Sequence, residues 1–140
     1  MIVLTHIQVE EIFSHAIKEA PHECCGLIGG TGGRAQSVYP TRNAAADPLV
    51  TYEASPEDLF AAQRSMRARG EQLLAIYHSH PRSADPQPSD TDVRLAYYPS
   101  AVYFIVGLGG EQPSIEAFSI SESKGSFEPV GYKIVASVNQ

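Results

Sequence analysis

The chain of 140 residues has no basic patch and no run of like charges, and its formal net charge is −6. Binding to nucleic acid through phosphate neutralisation is therefore not expected. Long apolar runs are also missing. Nothing approaches the roughly 18 consecutive apolar residues of a membrane helix, so no membrane association is expected. The first residues lack a basic leader, and Glu10 and Glu11 soon interrupt the apolar start. Cysteine is scarce. Cys24 and Cys25 are neighbours, which cannot readily bridge to each other within an ordinary strand. Such thiols suit a reducing compartment, and we expect a cytoplasmic protein. Repeats, low-complexity tracts and linkers are absent too, so one domain over residues 1–140 is expected. The apolar content of 43% is ordinary for a globular fold. A chain near this size buries about 68–70% of its unfolded surface.

The pattern alternates between strand and helix signals. Ile2-Val3-Leu4 reads as a strand, followed by Thr5 as a helix cap and by Val9, Ile12, Phe13, Ala16 and Ile17 at helical spacing. Pro21 ends that helix. Cys24 to Gly29 reads as a buried strand, and Gly32-Gly33 as a turn into a strand near Gln36–Tyr39. Residues 41–52 look irregular, with Val50-Thr51-Tyr52 extended. Ser55-Pro56-Glu57-Asp58 opens a helix carrying Leu59, Ala62 and Met66 on one face, and Gly70 closes it. Leu73 to Tyr77 has the continuous apolar character of a central strand. The proline-rich stretch 81–88 is a loop, and Ser89 opens a helix through about Tyr97. Ala101 to Val106 is a second buried strand. Ser114–Ser119 and Gly131–Ala136 read as later, more exposed strands with an antiparallel look, separated by turns at Gly109-Gly110 and Lys124-Gly125. This order predicts an α/β domain with a mixed sheet.

The chemistry concentrates at Tyr77-His78-Ser79-His80-Pro81. Residues i and i+2 of a strand face one side, so His78 and His80 can converge on one ion while Ser79 points away. Asp92 would complete a two-histidine, one-carboxylate set. Three protein ligands leave one tetrahedral position open, as in catalytic zinc sites, and zinc lowers the pKa of a water there towards about 7. A lone His-x-His is a weak signal, and Ser89-x-x-Asp92 also reads as a helix-capping pair. The two roles of Asp92 are compatible, because a cap would hold the side chain rigidly.

Taken together, His78-Ser79-His80-Pro81, then Ser89-x-x-Asp92, with Glu23 upstream at the head of a glycine-containing strand, resembles the metal-dependent isopeptidases of the JAMM (MPN-plus, Mov34/PAD-1) family. The resemblance spans essentially the whole chain and looks most like the compact prokaryotic members. It implies a mixed, curved sheet flanked by helices, of cytidine-deaminase-like architecture. It also implies one catalytic zinc ion on His78, His80 and Asp92. Glu23 is the implied general base, taking a proton from water and delivering it to the leaving amine, and Ser89 hydrogen-bonds the scissile carbonyl oxygen. The implied reaction is hydrolysis of a peptide or isopeptide bond at the C-terminus of a ubiquitin-like or sulfur-carrier protein with a Gly-Gly tail. Such a tail would suit strand addition beside a sheet edge.

Eight residues, Pro81 to Pro88, separate His80 from Ser89, one more than is common in that family. This leaves Asp90 as a rival to Asp92. Two other functions compete: a non-catalytic scaffold of the same fold, and a thiol hydrolase using Cys24 or Cys25. Buried cysteine in an apolar strand argues against the latter. His6, His15 and His22 have no partner at ligand spacing and read as surface residues. Tyr97-Tyr98 reads as packing at a helix end.

Overall fold

The structure is a computed structural model and describes residues 1–136. In chain order the elements are β1 (Ile2–Thr5), α1 (His6–Glu19), β2 (Cys25–Thr31), β3 (Arg34–Thr41), α2 (Pro56–Arg69), β4 (Gln72–His80), α3 (Asp90–Arg94), β5 (Val102–Gly107), β6 (Ser114–Ser121), β7 (Ser126–Pro129) and β8 (Tyr132–Val135). Among the described residues the strands form one mixed sheet in the order β7-β6-β5-β4-β2-β3-β1-β8. Strand β4 lies in its interior, antiparallel to β2 and parallel to β5. Strand β8, expected to join an antiparallel pair, runs parallel to β1 instead. Strand β7, not foreseen, makes a hairpin with β6 across a turn in which Gly125 has φ +64°.

Each face of the sheet has its own core. Leu4, Ile12, Ala16, Ile28, Tyr77 and Phe104 pack together on the α1 side. Leu27, Met66, Ile76, Val93, Ile105 and Phe118 pack on the side of α2 and α3. Side chains alternate along β4, so Tyr77 belongs to the first core and Ile76 to the second. The next residue on the Ile76 face is His78. The apolar alternation therefore aims the histidines toward α2 and α3.

Helices α1 and α2 keep their predicted boundaries, and α3 alone ends early. Thr5 caps α1 through a reciprocal pair with Gln8, and the Gln8 amide also donates to the Ala35 carbonyl at 3.0 Å. Ile17 is 57% exposed, because the buried stripe is Gln8, Val9, Ile12 and Ala16 and Ile17 falls beyond its edge. Ser55 stands at the N-cap of α2 but makes no side-chain cap bond. Its hydroxyl accepts from Arg42 Nη2 at 3.3 Å. Helix α3 ends at Arg94 rather than near Tyr97. Tyr98 N–H donates to the Tyr103 hydroxyl at 3.2 Å, which takes that amide out of any helical ladder. Val50, expected to be extended, lies in a turn whose amide donates to the Asp47 carbonyl.

Gly26 lies directly opposite Tyr77 across the β2–β4 pair. A Cβ there would run into the Tyr77 ring, which is fully buried. Gly26→Ala should lower the unfolding free energy by about 1–3 kcal/mol through overpacking, measured by urea denaturation. An unchanged midpoint would mean that the ring can move aside.

Candidate metal centre

His78 and His80 sit at the C-terminal end of β4, which extends through both of them rather than stopping at Tyr77. Their Nε2 atoms lie 3.3 Å apart. His78 is fully buried, and the Tyr52 ring stacks on its imidazole with centroids 4.3 Å apart at 22°. Ser79 points to the opposite face. Its hydroxyl accepts from Cys24 N–H at 2.8 Å, and its own N–H donates to the Cys24 carbonyl at 3.2 Å. The histidine strand is thereby tied to the residue that follows Glu23.

Asp92 enters from α3. Ser89 and Asp92 form a reciprocal capping box: Asp92 N–H donates to Ser89 Oγ at 3.0 Å, and Ser89 N–H donates to Asp92 Oδ2 at 2.9 Å. The same Oδ2 is 3.1 Å from His78 Nε2 and 3.0 Å from His80 Nε2. Asp90 is exposed and takes no part in this cluster. The eight-residue loop before Ser89 is anchored at several points. Pro86 and Pro88 are buried, Ser83 N–H donates to the His80 carbonyl, and Gly109 N–H donates to the Ser83 carbonyl.

Glu23 precedes β2 in irregular backbone, yet it is only 5% exposed. Ligand atoms of Glu23, His78, His80 and Asp92 all lie within 4.8 Å of one another. Glu23 Oε1 and His78 Nδ1 are buried without a hydrogen-bond partner among the described residues. Burial pushes the Glu23 carboxyl up to about 7, with the charge of Asp92 adding to the rise and His80 opposing it. Burial holds His78 below the usual imidazole range, against the pull of Asp92. Burial would also lower His80, but the Asp92 hydrogen bond and charge outweigh it and the net direction is up. Asp92 resists its own burial and stays well below the carboxylate range, because the charge and hydrogen bond of His78, and hydrogen bonds from His80 and Ser89 N–H, favour its anion.

These residues fit a metal ion. Two imidazole nitrogens and one carboxylate oxygen form a triangle with sides of 3.0–3.3 Å. Tetrahedral coordination at about 2.0–2.1 Å would separate neighbouring ligands by about 3.3 Å. Hydrogen bonding to Asp92 accounts for two sides but not for two nitrogens facing each other on the third.

A family model described as prokaryotic homologues of the JAB domain matches residues 6–121. The chain belongs to that family. The JAB chain is 35% identical to the desampylase of Haloferax volcanii over 76% of its own length and 81% of the relative's. It is also 35% identical to a probable TtuB-protein conjugate cleaving protease of Thermus thermophilus, over 83% and 74%. The CysO-cysteine peptidase of Mycobacterium tuberculosis is 29% identical over 93% and 90%. A solved structure from Desulfitobacterium hafniense superposes with a TM-score of 0.85 at 32% identity, over 98% of this chain and 94% of that one.

Around the JAB centre two depressions open. A cleft of about 440 Å³ is lined by Glu23, His80 and Ser89 together with Leu49, Val50 and Arg82. A more apolar groove of about 510 Å³ runs beside it, lined by Tyr52, Leu59, Phe60, Leu95, Tyr97 and Tyr98 among others. Tyr97 is 66% exposed and Tyr98 38%, so this pair lines the groove and does not serve as helix-end packing. Tyr52 is the residue that sequence reasoning missed. It follows no regular pattern, and only the fold brings its ring onto His78.

Cys24 and Cys25 are each 1% exposed. Burial pushes their thiols up to about 12 and about 11, although hydrogen bonds to Ser79 and Thr41 oppose the rise. Buried and held protonated, neither thiol is placed to serve as a thiolate nucleophile. His6 and His22 are exposed as expected, but His15 is not a plain surface residue. It is half-buried, and its Nδ1 lies 2.8 Å from the Tyr77 hydroxyl on the far side of the sheet from the centre.

The raised Glu23 carboxyl makes a pH prediction for chelated protein. Its folded value, about 7, lies above the ordinary 4.5. The stability linked to its protonated form is therefore complete below about 4.5 and lost as pH rises through about 7. Glu23→Gln should gain stability relative to the parent across that window, as read by denaturant midpoints. A pH-independent difference would show that the carboxylate is solvated or partnered in solution.

Proposed function

We propose that this chain is a zinc-dependent peptidase that cuts the amide bond at the C-terminal tail of a ubiquitin-like or sulfur-carrier protein. His78, His80 and Asp92 are its metal ligands. The observation that carries this reading is the convergence of those three ligand atoms within 3.0–3.3 Å, beside a buried acid, in a JAB-family chain. The reaction class agrees with the relatives, whose names describe a desampylase, a protease that cleaves protein conjugates and a peptidase. The targets in two of those names, TtuB-protein conjugates and CysO-cysteine, support a protein carrier as partner.

Bound zinc would polarise the scissile carbonyl and make water more acidic. The remaining steps belong to side chains. Glu23 stands within 4.8 Å of the ligand atoms and takes the proton of the attacking water. It then delivers that proton to the nitrogen of the departing amine, so the acid returns to its starting form. A nearby cation favours the ionised carboxylate that this role requires. Ser89 Oγ accepts from Asp92 N–H, which leaves its O–H free to donate. Directed at the carbonyl oxygen, that donor strengthens as negative charge develops.

Sheet-edge addition, expected for the tail, is not available at the centre itself. Strand β4 is paired on both sides, with Cys25 opposite His78 and with Val106 and Gly107 opposite Ser79 and His80. An extended tail reaching the centre would instead run through the cleft lined by Leu49, Val50, Pro81, Arg82 and Ser83.

One assay tests the mechanism: hydrolysis of a Gly-Gly-tailed carrier protein capped by a fluorogenic amide. Chelation should abolish turnover, zinc should restore it, and a thiol alkylator should leave it unchanged. Glu23→Gln should bind zinc at the parent's stoichiometry and lose about 10²–10⁴-fold in kcat. Activity that survives chelation but not alkylation would overturn the reading, as would a fully active Glu23→Gln. In the same assay, Ser89→Ala should lower kcat by about 10²–10³-fold, with zinc retained. An unchanged kcat would remove Ser89 from the oxyanion role.

A further inference from the structure

Glu23 lies outside the strand ladder, so the sheet does not by itself fix the acid on which the proposed reaction depends. Its main chain is held from the other side. Glu23 N–H donates to the Pro48 carbonyl at 2.8 Å, and its own carbonyl accepts from Asn43 Nδ2 at 3.0 Å. The second hydrogen of that amide group goes to the Thr51 carbonyl at 2.9 Å. On the other side of the amide, Asn43 Oδ1 accepts from Ala45 N–H at 3.0 Å and from Glu53 N–H at 3.1 Å. All four hydrogen-bonding positions of one side chain are used. Two carbonyls face Nδ2 and two N–H groups face Oδ1, so the amide fits in one orientation only.

The residues it holds are those the centre needs. Thr51 and Glu53 flank Tyr52, whose ring stacks on His78. The segment has little regular structure of its own. An isolated bridge between Asn43 and Ala54, with Ala44 N–H donating to the Glu53 carbonyl at 2.7 Å, closes it into a loop. One asparagine therefore joins the backbone of the acid to the backbone that carries the stacked ring.

We propose that Asn43 is a positioning residue that sets Glu23 and Tyr52 as one unit, and that turnover depends on this link. Asn43 touches no reacting atom. It acts by fixing where the Glu23 carboxylate and the Tyr52 ring stand relative to His78, and a displacement of about 1 Å in such a group can cost about 10²-fold in rate. The inference rests on the mechanism proposed above.

The test compares full-length variants on the Gly-Gly-tailed fluorogenic carrier. Asn43→Asp keeps the acceptor toward Ala45 and Glu53 but removes both donors. It should lower kcat by about 10²-fold, with KM within about twofold and bound zinc per chain unchanged. Exchange of the Glu23 amide hydrogen should become at least about tenfold faster in the chelated variant. Arg42→Ala loosens the same loop from α2, where Arg42 contacts Asp58 and Glu57, and should leave kcat unchanged. An Asn43→Asp enzyme with kcat within twofold of the parent would overturn the inference. So would a loss matched by Arg42→Ala, or one that simply follows zinc content. If the variant does not fold, the parent still decides. The Glu23, Ala45 and Glu53 amides should show protection factors within about threefold of one another, and independent protection would break the proposed unit. Glu23→Gln separates the two levels. Should it abolish turnover while Asn43→Asp remains fully active, only the positioning role fails. Full activity in Glu23→Gln would overturn both.

Discussion

One carboxylate oxygen, Asp92 Oδ2, is the point on which the centre converges. It accepts from Ser89 N–H and lies within 3.1 Å of both histidine Nε2 atoms. A helix cap and a ligand triangle share this atom, so neither can shift without the other. Helix α3 has only five residues and cannot depend on its own ladder for rigidity. It keeps its place through the capping box and through Val93, which is buried in the second core. The brevity of α3 is thus offset at both its polar and its apolar side.

The sheet supplies the remaining constraint. Two cores, one on each face, fix the alternation of β4 so that Ile76, His78 and His80 share one face while Tyr77 and Ser79 share the other. Ser79 uses its face to tie β4 to Cys24, and Asn43 holds Glu23 from the opposite direction. The acid is gripped between an ordered strand and an irregular loop. The chemistry asks for this arrangement, because a buried carboxylate is costly to ionise and does not stay in place without support.

Sequence periodicity makes some of this legible. The i, i+2 spacing of His78 and His80 and the Ser89-x-x-Asp92 cap are local patterns, and the fold keeps both. The loop from Pro81 to Pro88 is pinned by buried prolines, and Asp92 rather than Asp90 reaches the histidines. What could not be read depends on contacts between distant residues. Local pattern alone would leave Glu23 an exposed residue at a helix exit, and only the family resemblance singles it out. The 42–55 segment holds and buries it, and Tyr52 has no local reason to meet His78. Ile17 matches helical spacing but falls off the edge of the buried stripe. The pairing of β8 with β1 joins the two ends of the described chain, and no hairpin signal announces such a partner.

The two free thiols that follow Glu23 have a consequence for the chemistry around it. Cys24 and Cys25 are shielded from solvent and held in their protonated form. Disulfide exchange needs an accessible thiolate. Thiols buried and held protonated in this way are poorly placed to form mixed disulfides with a sulfur-bearing partner. Their silence is a property of the segment that follows the acid and leads into β2.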